Sequence, residues 1–290
     1  MENGAFGCEE ARACSALRKC LFCHVTRGKM PELPEVEEAM QRLKIAVEGR
    51  TIARAKALHP AILRQFPDAT ARRLRQRRIV RIERRGKHQL LHLDNGATIH
   101  AHFRMNGDWL LTRVEQPVDR FTRAMIELTD GTRIELNDRR ALSALSLHGK
   151  GKNPLPSLGM EANDPSLDAA YLRAALRSRR GPIKPALMDQ KVIAGLGNIY
   201  AAEALWRAKI SPRAIASSIS TARLARLASA IHSVLEEENR PPGRYTDEVG
   251  RERFEVYDRE GLPCSRCGTL IRRIPQAGRS TYFCPLCQKT

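Results

Sequence analysis

The sequence predicts an α+β fold in which an N-terminal β-sandwich with a flanking helix precedes a helical domain and a small cysteine-rich ribbon. Three observations support this prediction. Strand-like runs joined by Asn-Gly and Asp-Gly pairs occupy the first half of the chain, helical spacing of apolar residues follows it, and two pairs of cysteines stand near the C-terminus. Apart from the two hairpin signals, the chain shows no internal repeat.

The flanking helix is predicted at the start of the sandwich. Pro34 stands where a helix could begin, and Gly49 suits its C-terminal cap. Four apolar residues recur between them at spacings of three and four, namely Val36, Met40, Leu43 and Val47. The pattern is that of an amphipathic helix whose N-terminus lies beside Pro31.

Two β-hairpins are predicted after this helix. Their turns are Asn95-Gly96 and Asp130-Gly131, because such pairs favour the tight turns that join antiparallel strands. The strand-like runs on either side span residues 89–93, 98–103, 124–129 and 132–136. A further strand is predicted over 78–83, and several short strands at this spacing indicate a β-sandwich.

The second half of the chain has a different organisation. A stretch rich in Gly and Pro, Lys150–Ser157, predicts an interdomain linker. Helical spacing follows over residues 167–176, 186–205 and 221–237, and residues 238–253 are polar and predict a loop. The predicted regions are an extension over 1–29, a sandwich domain over 30–149, a linker over 150–160, a helical domain over 161–252 and a ribbon over 253–290.

The charge balance points to a polyanionic partner. Lys and Arg number 50 against 32 Asp and Glu, a formal net charge of +18, and phosphate contacts by such residues release condensed counterions. A ribosome-associated protein would show the same balance. No run reaches the roughly 20 apolar residues needed to span a bilayer, and residues 1–29 lack the apolar core of a signal peptide. An intracellular protein is therefore expected, in the cytoplasm or nucleoid if it is bacterial.

The strongest spacing signal is a double cysteine pair near the C-terminus. It consists of Cys264 and Cys267, then Cys284 and Cys287, with two residues between the members of each pair. Four thiolates at this spacing predict one closed tetrahedral Zn²⁺ site, which is structural because no coordination position remains for a substrate. Arg272, Arg273 and Arg279 lie between the pairs and are interpreted either as phosphate contacts or as solvated loop charges.

Two other segments suggest phosphate binding without establishing it. Residues 72–87 carry nine Lys and Arg side chains, most of which are interpreted as general electrostatics because alternate strand positions must face solvent in any case. The segment Gly195-Leu196-Gly197 allows a tight turn with exposed backbone N–H groups near a helix N-terminus. Such a turn binds phosphate in some proteins and is a packing turn in many others.

Several motifs follow one another from Met30 to the C-terminus. They are Pro31-Glu32-Leu33-Pro34-Glu35-Val36-Glu37, Arg85-Gly86-Lys87, His102-Phe103-Arg104-Met105-Asn106-Gly107, Ile183-Lys184-Pro185, Gly195-Leu196-Gly197-Asn198-Ile199-Tyr200-Ala201 and Gly278-Arg279-Ser280-Thr281. In this order they resemble the formamidopyrimidine-DNA glycosylase and endonuclease VIII family. The resemblance implies an N-terminal β-sandwich, a C-terminal helix-two-turn-helix domain with a zinc ribbon, and a monomer whose partner is damaged double-stranded DNA.

The resemblance also implies a bifunctional DNA glycosylase with abasic lyase activity, acting on formamidopyrimidines, 8-oxoguanine or related lesions. Pro31 would become the N-terminal residue after loss of Met30, and its secondary amine would attack C1′ of the damaged nucleotide. Strand cleavage would follow by β- and δ-elimination. Glu32 would be the general acid and base beside the sugar, and Glu35 a supporting carboxylate.

Further residues match DNA-contacting positions of that family. Lys87 matches its β-hairpin lysine, and Arg279 its zinc-ribbon arginine, which binds phosphate at the lesion. Two residues match further contacts to the DNA backbone, Lys184 and Asn198. Two more match side chains that fill the space left by the everted base, Met105 and Arg139. Without the resemblance, Met105 would be interpreted as a core methionine at a hairpin end.

Two departures from the family pattern leave the substrate open. Ala141 and Leu142 stand where relatives usually have Phe and Gly, so the aromatic wedge against the orphan base is missing and the opposite-base preference is undetermined. The segment between Glu238 and Phe254 is shorter than the loop that covers the everted purine in formamidopyrimidine-type members. An endonuclease VIII-like activity on oxidised pyrimidines therefore remains an alternative.

A third departure concerns residues 1–29, which precede the nucleophile. A Pro31 inside the chain has an amide nitrogen, which is not basic and forms no iminium. Translation starting at Met30 is the simplest explanation, because Met-Pro is a good substrate for removal of the initiator methionine. The rival is a small metal or redox element built from Cys20, Cys23, His24 and either Cys8 or Cys14.

Three function classes follow from these observations. The leading hypothesis is the glycosylase and lyase, which the ordered motifs favour. A non-catalytic protein that binds damaged DNA would keep the same surface but lack the chemistry, and the blocked Pro31 and Ala141 would suit it. A zinc-ribbon protein on ribosomal RNA explains the charge and the cysteines but not the ordered motifs.

Overall fold

The computed structural model describes residues 31–238 and 254–289. The expectations for Cys8, Cys14, Cys20, Cys23 and His24, and those for the loop over 239–253, lie outside the described residues. The chain divides into two compact units. The first contains Pro31, Ala39–Glu83 and Gln89–Pro154, and the second contains Glu32–Glu38, Arg84–His88 and the chain from Leu155 onward.

Two four-stranded sheets form most of the first unit. One has the strand order β1-β6-β7-β5, and its neighbouring strands are antiparallel. Its strands are β1 (Ile52–Ala57), β5 (Asp108–Arg113), β6 (Thr122–Leu128) and β7 (Thr132–Asn137). The other sheet has the order β2-β3-β4-β8. Its strands are β2 (Ile79–Arg85), β3 (His88–Leu93), β4 (Thr98–His102) and β8 (Ala144–His148).

Both predicted hairpins are confirmed, because β3 neighbours β4 and β6 neighbours β7. The predicted amphipathic helix is confirmed as α1 (Leu33–Val47). Its apolar stripe, Val36, Met40, Leu43 and Val47, is buried. Two short helices follow β1, α2 (Pro60–Leu63) and α3 (Asp68–Arg72). The predicted α+β fold with two sheets and a flanking helix is thus observed.

Helices form most of the second unit. They are α4 (Ala169–Leu176), α5 (Ile183–Met188), α6 (Asn198–Arg207) and α7 (Thr221–Glu238). They bury a continuous apolar core that includes Tyr200, Leu227 and Ile231. Among the described residues, no helix combines the length and apolar character that crossing a lipid bilayer requires.

The prediction of helical structure throughout 186–205 is wrong. The chain leaves α5 at Met188 and forms the short strand β10 (Ile193–Ala194), which pairs in parallel with β9 (Met160–Glu161). The apolar run around Val192 fits a buried strand as well as a helix, so periodicity alone could not separate the two. Helix α6 begins only at Asn198, after the two glycines.

The last segment of the second unit is a two-stranded ribbon. Its strands, β11 (Arg272–Gln276) and β12 (Arg279–Phe283), are antiparallel. The ribbon packs against α6 through a small buried cluster that includes Trp206, Ile271 and Cys284. The chain entering this segment is fixed by Glu203 of α6, whose carboxylate accepts hydrogen bonds from the backbone N–H groups of Glu255, Val256 and Tyr257.

Candidate active site

Glu32 is the centre of the candidate site in the second unit. It is completely buried, and its carboxylate accepts hydrogen bonds from the backbone N–H groups of Ile199, at 2.9 Å, and Tyr200, at 3.3 Å. These groups belong to the first turn of α6, where backbone N–H groups have no partner inside the helix and the helix dipole favours a negative charge. The N-terminus of α6 therefore holds the carboxylate of Glu32.

The Gly195-Leu196-Gly197 turn makes room for the chain around Glu32. A Cβ atom on Gly197 would lie 2.2 Å from Cδ of Glu32, and one on Gly195 would lie 2.5 Å from Cδ1 of Leu33. Gly195 also has a φ of +92°, which a side chain would strain. Of the two interpretations of this turn, the structure favours packing, because Glu32 already occupies the N–H groups that a phosphate would use.

Glu35 supports the peptide bond between Pro31 and Glu32. One of its carboxylate oxygens accepts the backbone N–H of Glu32 at 2.8 Å, and the other accepts the hydroxyl of Tyr200 at 2.6 Å. Pro31 and Glu35 are both buried. The sequence analysis named Tyr200 only as part of a motif and gave it no role, because a tyrosine in an apolar helix resembles an ordinary core residue.

The charges around Glu32 shift its pKa and that of Lys87. Burial raises the pKa of Glu32. The positive charge of Lys87 and the hydrogen bond from Ile199 oppose this shift, whereas the negative charge of Glu35 adds to it. Burial lowers the pKa of the half-buried Lys87 against the attraction of Glu32 and Glu35, and Arg279 adds to the lowering. The arrangement combines a carboxyl group that keeps its proton to higher pH than a free glutamate with an amine that loses its proton more readily than a free lysine.

Lys184 and Asn198 form a buried link to β12. The Lys184 ammonium donates hydrogen bonds to Oδ1 of Asn198 and to Oγ1 of Thr281, the latter at 2.8 Å. A third bond goes to the carbonyl of Ser280 at 3.4 Å. Asn198 Nδ2 donates to the same carbonyl at 3.1 Å. An ammonium group has three donors, and these three acceptors use them all. Burial lowers the pKa of Lys184 to about 8, Glu32 opposes this, and Arg279 contributes to it.

Arg279 begins β12, immediately before the two residues that Lys184 and Asn198 hold. Its side chain is exposed, and its charge acts on both Lys87 and Lys184. The other ribbon arginines are also exposed, but Arg273 donates to Oγ of Ser280 and pairs with Glu260 at 3.6 Å. Arg279 is thus an outward-facing cation whose position is set by buried contacts on the adjacent residues.

Met105 and Arg139 belong to the first unit. Met105 lies in the turn after β4 and is half-buried, so it is not the core methionine that the sequence pattern alone suggested. The Arg139 guanidinium is 5.0 Å from the ring centroid of Phe121. Its loop is organised by Asp138, which accepts the backbone N–H groups of Arg140, Leu142 and Ser143. Both residues thus lie in turns at the ends of strands.

The four predicted zinc ligands come together in the ribbon. Cys264, Cys267, Cys284 and Cys287 place their Sγ atoms within 4.8 Å of one another, and two of these distances are 4.0 Å and 3.5 Å. A tetrahedral site with Zn–S bonds of about 2.3 Å separates its sulfurs by about 3.8 Å. The residues fit one structural Zn²⁺, and Trp206 Nε1 donates to Sγ of Cys264 at 3.4 Å, which orients that ligand.

Removing the zinc should weaken the duplex DNA binding that the family resemblance implies, by about tenfold or more, because the contact of an arginine with phosphate contributes roughly 1.5–3 kcal/mol. Loss of the metal would unfold the ribbon and release Arg279, since metal binding and folding are coupled in such small sites. To measure this effect, the zinc content and the duplex affinity at fixed ionic strength are determined for the wild-type protein and for a Cys284→Ser variant.

The matched control for that variant is Ser265→Ala, which changes a neighbouring ribbon residue without removing or adding a zinc ligand. It should retain one zinc per chain and wild-type affinity. A Cys284→Ser protein that keeps both full zinc occupancy and wild-type affinity would contradict the assignment.

Tyr257 is a second residue that sequence reasoning missed. Burial raises the pKa of Tyr257, and the side chain of Asn198, one of the predicted DNA contacts, opposes this shift. Its ring also packs edge-on against those of Phe254 and Tyr282. An aromatic residue a few positions after the polar segment 238–253 was the available signal, but nothing in the sequence connected it with Asn198.

Comparison with known proteins places these features in context. Three family profiles match the chain: the formamidopyrimidine-DNA glycosylase N-terminal domain over residues 30–145, the formamidopyrimidine-DNA glycosylase H2TH domain over 158–241, and the zinc finger found in FPG and IleRS over 261–290. A formamidopyrimidine-DNA glycosylase of Novosphingobium aromaticivorans is 36% identical over 273 residues, covering 90% of this chain and 100% of the relative.

Solved structures show the same similarity. The MutM (Fpg) protein of Thermus thermophilus aligns with a TM-score of 0.77 and 36% identity, over 89% of this chain and 98% of that one. The formamidopyrimidine-DNA glycosylase of Lactococcus lactis, solved noncovalently bound to DNA containing an abasic site, aligns with a TM-score of 0.80 and 29% identity, over 90% and 100% of the two chains. The similarity therefore covers both units and the ribbon.

Proposed function

Because this chain belongs to the formamidopyrimidine-DNA glycosylase family, we propose that it acts in base excision repair as a bifunctional enzyme: it removes oxidised bases from duplex DNA and then cleaves the abasic strand through Pro31. The observation that carries the proposal is the buried Glu32 carboxyl, which is fixed on the first turn of α6 and electrostatically coupled to Lys87. Such a pair next to the nucleophile supplies a proton donor and a nearby cation for sugar chemistry.

The reaction requires a free secondary amine on Pro31. Its nitrogen lone pair forms a bond to C1′, the bond between C1′ and the base breaks, and the base leaves with the electron pair and a proton. The attached amine loses its proton, and the C1′–O4′ bond then opens with its electron pair and a proton going to O4′, which gives an iminium. The iminium draws electrons from the C2′–H bond, so that a proton is lost from C2′. The 3′ phosphate then leaves by β-elimination and the 5′ phosphate by δ-elimination, and water releases the enzyme.

The side chains of the second unit have distinct proposed roles. Glu32 delivers and accepts protons at the sugar, and burial, by raising its pKa, favours the protonated form that can act as the acid. Glu35 holds the backbone N–H that follows Pro31. Lys87 and Arg279 bring positive charge to the reacting nucleotide and its phosphate. Lys184 and Asn198 fix the start of β12, and through it Arg279.

Duplex DNA carrying an oxidised purine is the proposed substrate. The net charge of +18 suits a polyanion. Solved relatives have been crystallised with DNA that contains a FAPY-dG, a carbocyclic 8-oxo-G or an abasic site. Met105 and Arg139 are proposed to fill the space that the everted base leaves, since both lie in turns. Ala141 keeps the opposite-base preference open.

Strand nicking tests this proposal. Protein produced from Met30 is incubated with duplexes that carry 8-oxoguanine, an oxidised pyrimidine or an abasic site, and with an undamaged duplex. We expect nicking at the abasic site and at 8-oxoguanine, and none of the undamaged strand. Duplex binding without excision or nicking would instead support a non-catalytic damage-binding protein, and preferential nicking at the pyrimidine would support the endonuclease VIII-like alternative.

A further inference from the structure

Glu161 lies beneath the turn that carries Lys87. Its carboxylate accepts hydrogen bonds from the side chains of Arg84 and Arg85, and from the backbone N–H of Gly86 at 2.6 Å. Burial disfavours its charge, but Arg84 and the hydrogen bonds from Arg84, Gly86 and Arg85 outweigh burial and hold the pKa of Glu161 below its usual value. One ionised carboxylate therefore binds the three consecutive residues that precede Lys87.

The two arginines are held by other groups as well. Arg84 is 6% exposed in its side chain, and its guanidinium donates to Glu37 at 2.6 Å and to the carbonyl of Gly86 at 2.8 Å. Arg85 donates to the carbonyl of Gly159 at 2.6 Å. With these partners each guanidinium has little freedom to turn, so the carboxylate of Glu161 receives donors of fixed direction.

Glu161 also connects the turn that carries Lys87 to the Gly195-Leu196-Gly197 turn, which makes room for Glu32. Glu161 is in β9, which pairs with Ile193–Ala194, and Gly195 follows directly. Gly86 packs on this pair, since a Cβ atom built on it would lie 3.4 Å from Cβ of Ala194 and 3.5 Å from the backbone nitrogen of Gly195. The backbone before Lys87 and the backbone beside Glu32 are thus fixed on one short strand pair.

We propose that Glu161 is a positioning residue that fixes the Arg84–Lys87 turn and thereby sets the Lys87 ammonium against Glu32. The inference rests on the proposed function, in which Lys87 acts at the reacting nucleotide. A carboxylate that only stabilised the fold would affect unfolding, whereas a positioning carboxylate must also control where the Lys87 side chain lies in the folded protein.

Glu161→Gln tests the proposal. A neutral glutamine amide has one oxygen and can accept only some of the hydrogen bonds that Glu161 accepts, while its NH₂ group faces the arginines. The turn should therefore loosen while the fold persists. We expect a single-turnover excision rate about tenfold or more below wild type at saturating protein, since small displacements of an acting group are costly. The duplex dissociation constant should change by less than about threefold, and Glu161→Asp should restore part of the rate.

Two further measurements separate positioning from stability. Brief acetylation followed by mass spectrometry reports the reactivity of Lys87 relative to the exposed Lys152, and we expect it to rise in Glu161→Gln. A double variant with Lys87→Ala should excise no more slowly than Lys87→Ala alone, because the effect of Glu161 passes through Lys87. Wild-type reactivity of Lys87 in Glu161→Gln, or a further loss of rate in the double variant, would overturn the proposal.

Glu135→Gln is the matched control. Glu135 is also a buried carboxylate bound by an arginine, Arg133, and by a second donor, Thr112, but it belongs to β7 of the first unit. Its substitution should lower stability without changing Lys87 reactivity or the excision rate of the folded protein. The acetylation readout needs no activity, so it remains informative if the wild-type protein fails to nick DNA and the proposed function is wrong.

Discussion

Borohydride is expected to trap a covalent complex with abasic duplex only when Pro31 is the first residue of the protein. The reductant captures an iminium, and an iminium requires a nitrogen with a free lone pair. With residue 30 attached, the lone pair of Pro31 is delocalised into an amide. Protein produced from Met30 and the full-length chain should be compared on one duplex, with intact-mass measurement of each N-terminus.

The control is a chain that begins Met-Glu-Pro31. Its initiator methionine is retained before the large glutamate, so Pro31 stays internal although the 29-residue extension is absent. Absence of trapping here would show that acylation of the nitrogen, rather than the bulk of the extension, blocks the reaction. Equal trapping of all three proteins would contradict the assignment of Pro31 and point to another amine.

Local sequence signals were sufficient for the elements and for the metal site. The stripe of α1 and both hairpin turns are short-range patterns, and each was recovered where it was expected. The cysteine pairs predicted the zinc ligands, because tetrahedral coordination imposes a spacing within each pair that the chain must obey. The strand β5, by contrast, carries no turn pair at its start, and the sequence analysis did not predict it.

The contacts that build the site could not be predicted in this way, because they join distant parts of the chain. Glu32 is 167 residues from Ile199, whose N–H it accepts, and Lys184 is 97 residues from Thr281. Periodicity gives no information on such pairs. The resemblance to a known family identified Glu32, Lys184 and Asn198 as single residues but not how their partners bind them. It gave no role to Tyr200 or Glu161, whose contacts emerged only from the structure.

Those partners change the interpretation of Lys184 and Asn198. Family resemblance assigns both to contacts with the DNA backbone, yet Lys184 is almost fully buried and its donors are satisfied within the protein. Its physical role in the described chain is to connect α5, α6 and β12. Direct phosphate binding by Lys184 would require one of these three hydrogen bonds to be exchanged, and the side chain of Asn198 is likewise bound within the protein, to the carbonyl of Ser280.

Glu32→Gln should lower the single-turnover rate of base excision by about 100-fold or more, the usual contribution of a general acid–base group. The amide can neither deliver nor accept the protons at the sugar that the proposed mechanism assigns to Glu32. In the wild-type protein the raised pKa of Glu32 keeps the carboxyl protonated to higher pH than a free glutamate, so excision should decline as pH rises through that pKa. This decline should be absent from the pH profile of Glu32→Gln.

Stability must be separated from chemistry, because the glutamine side chain also disturbs the first turn of α6. Its NH₂ group faces a backbone N–H that the carboxylate formerly satisfied, at a cost of about 1–3 kcal/mol. Glu203→Gln is the matched control, since burial also raises the pKa of Glu203 and its carboxylate also accepts backbone N–H groups. If Glu203→Gln reproduces the loss of stability but keeps the excision rate of folded protein within about threefold, the loss in Glu32→Gln is chemical. Equal excision rates in Glu32→Gln and Glu203→Gln would show that Glu32 has no role in the reaction.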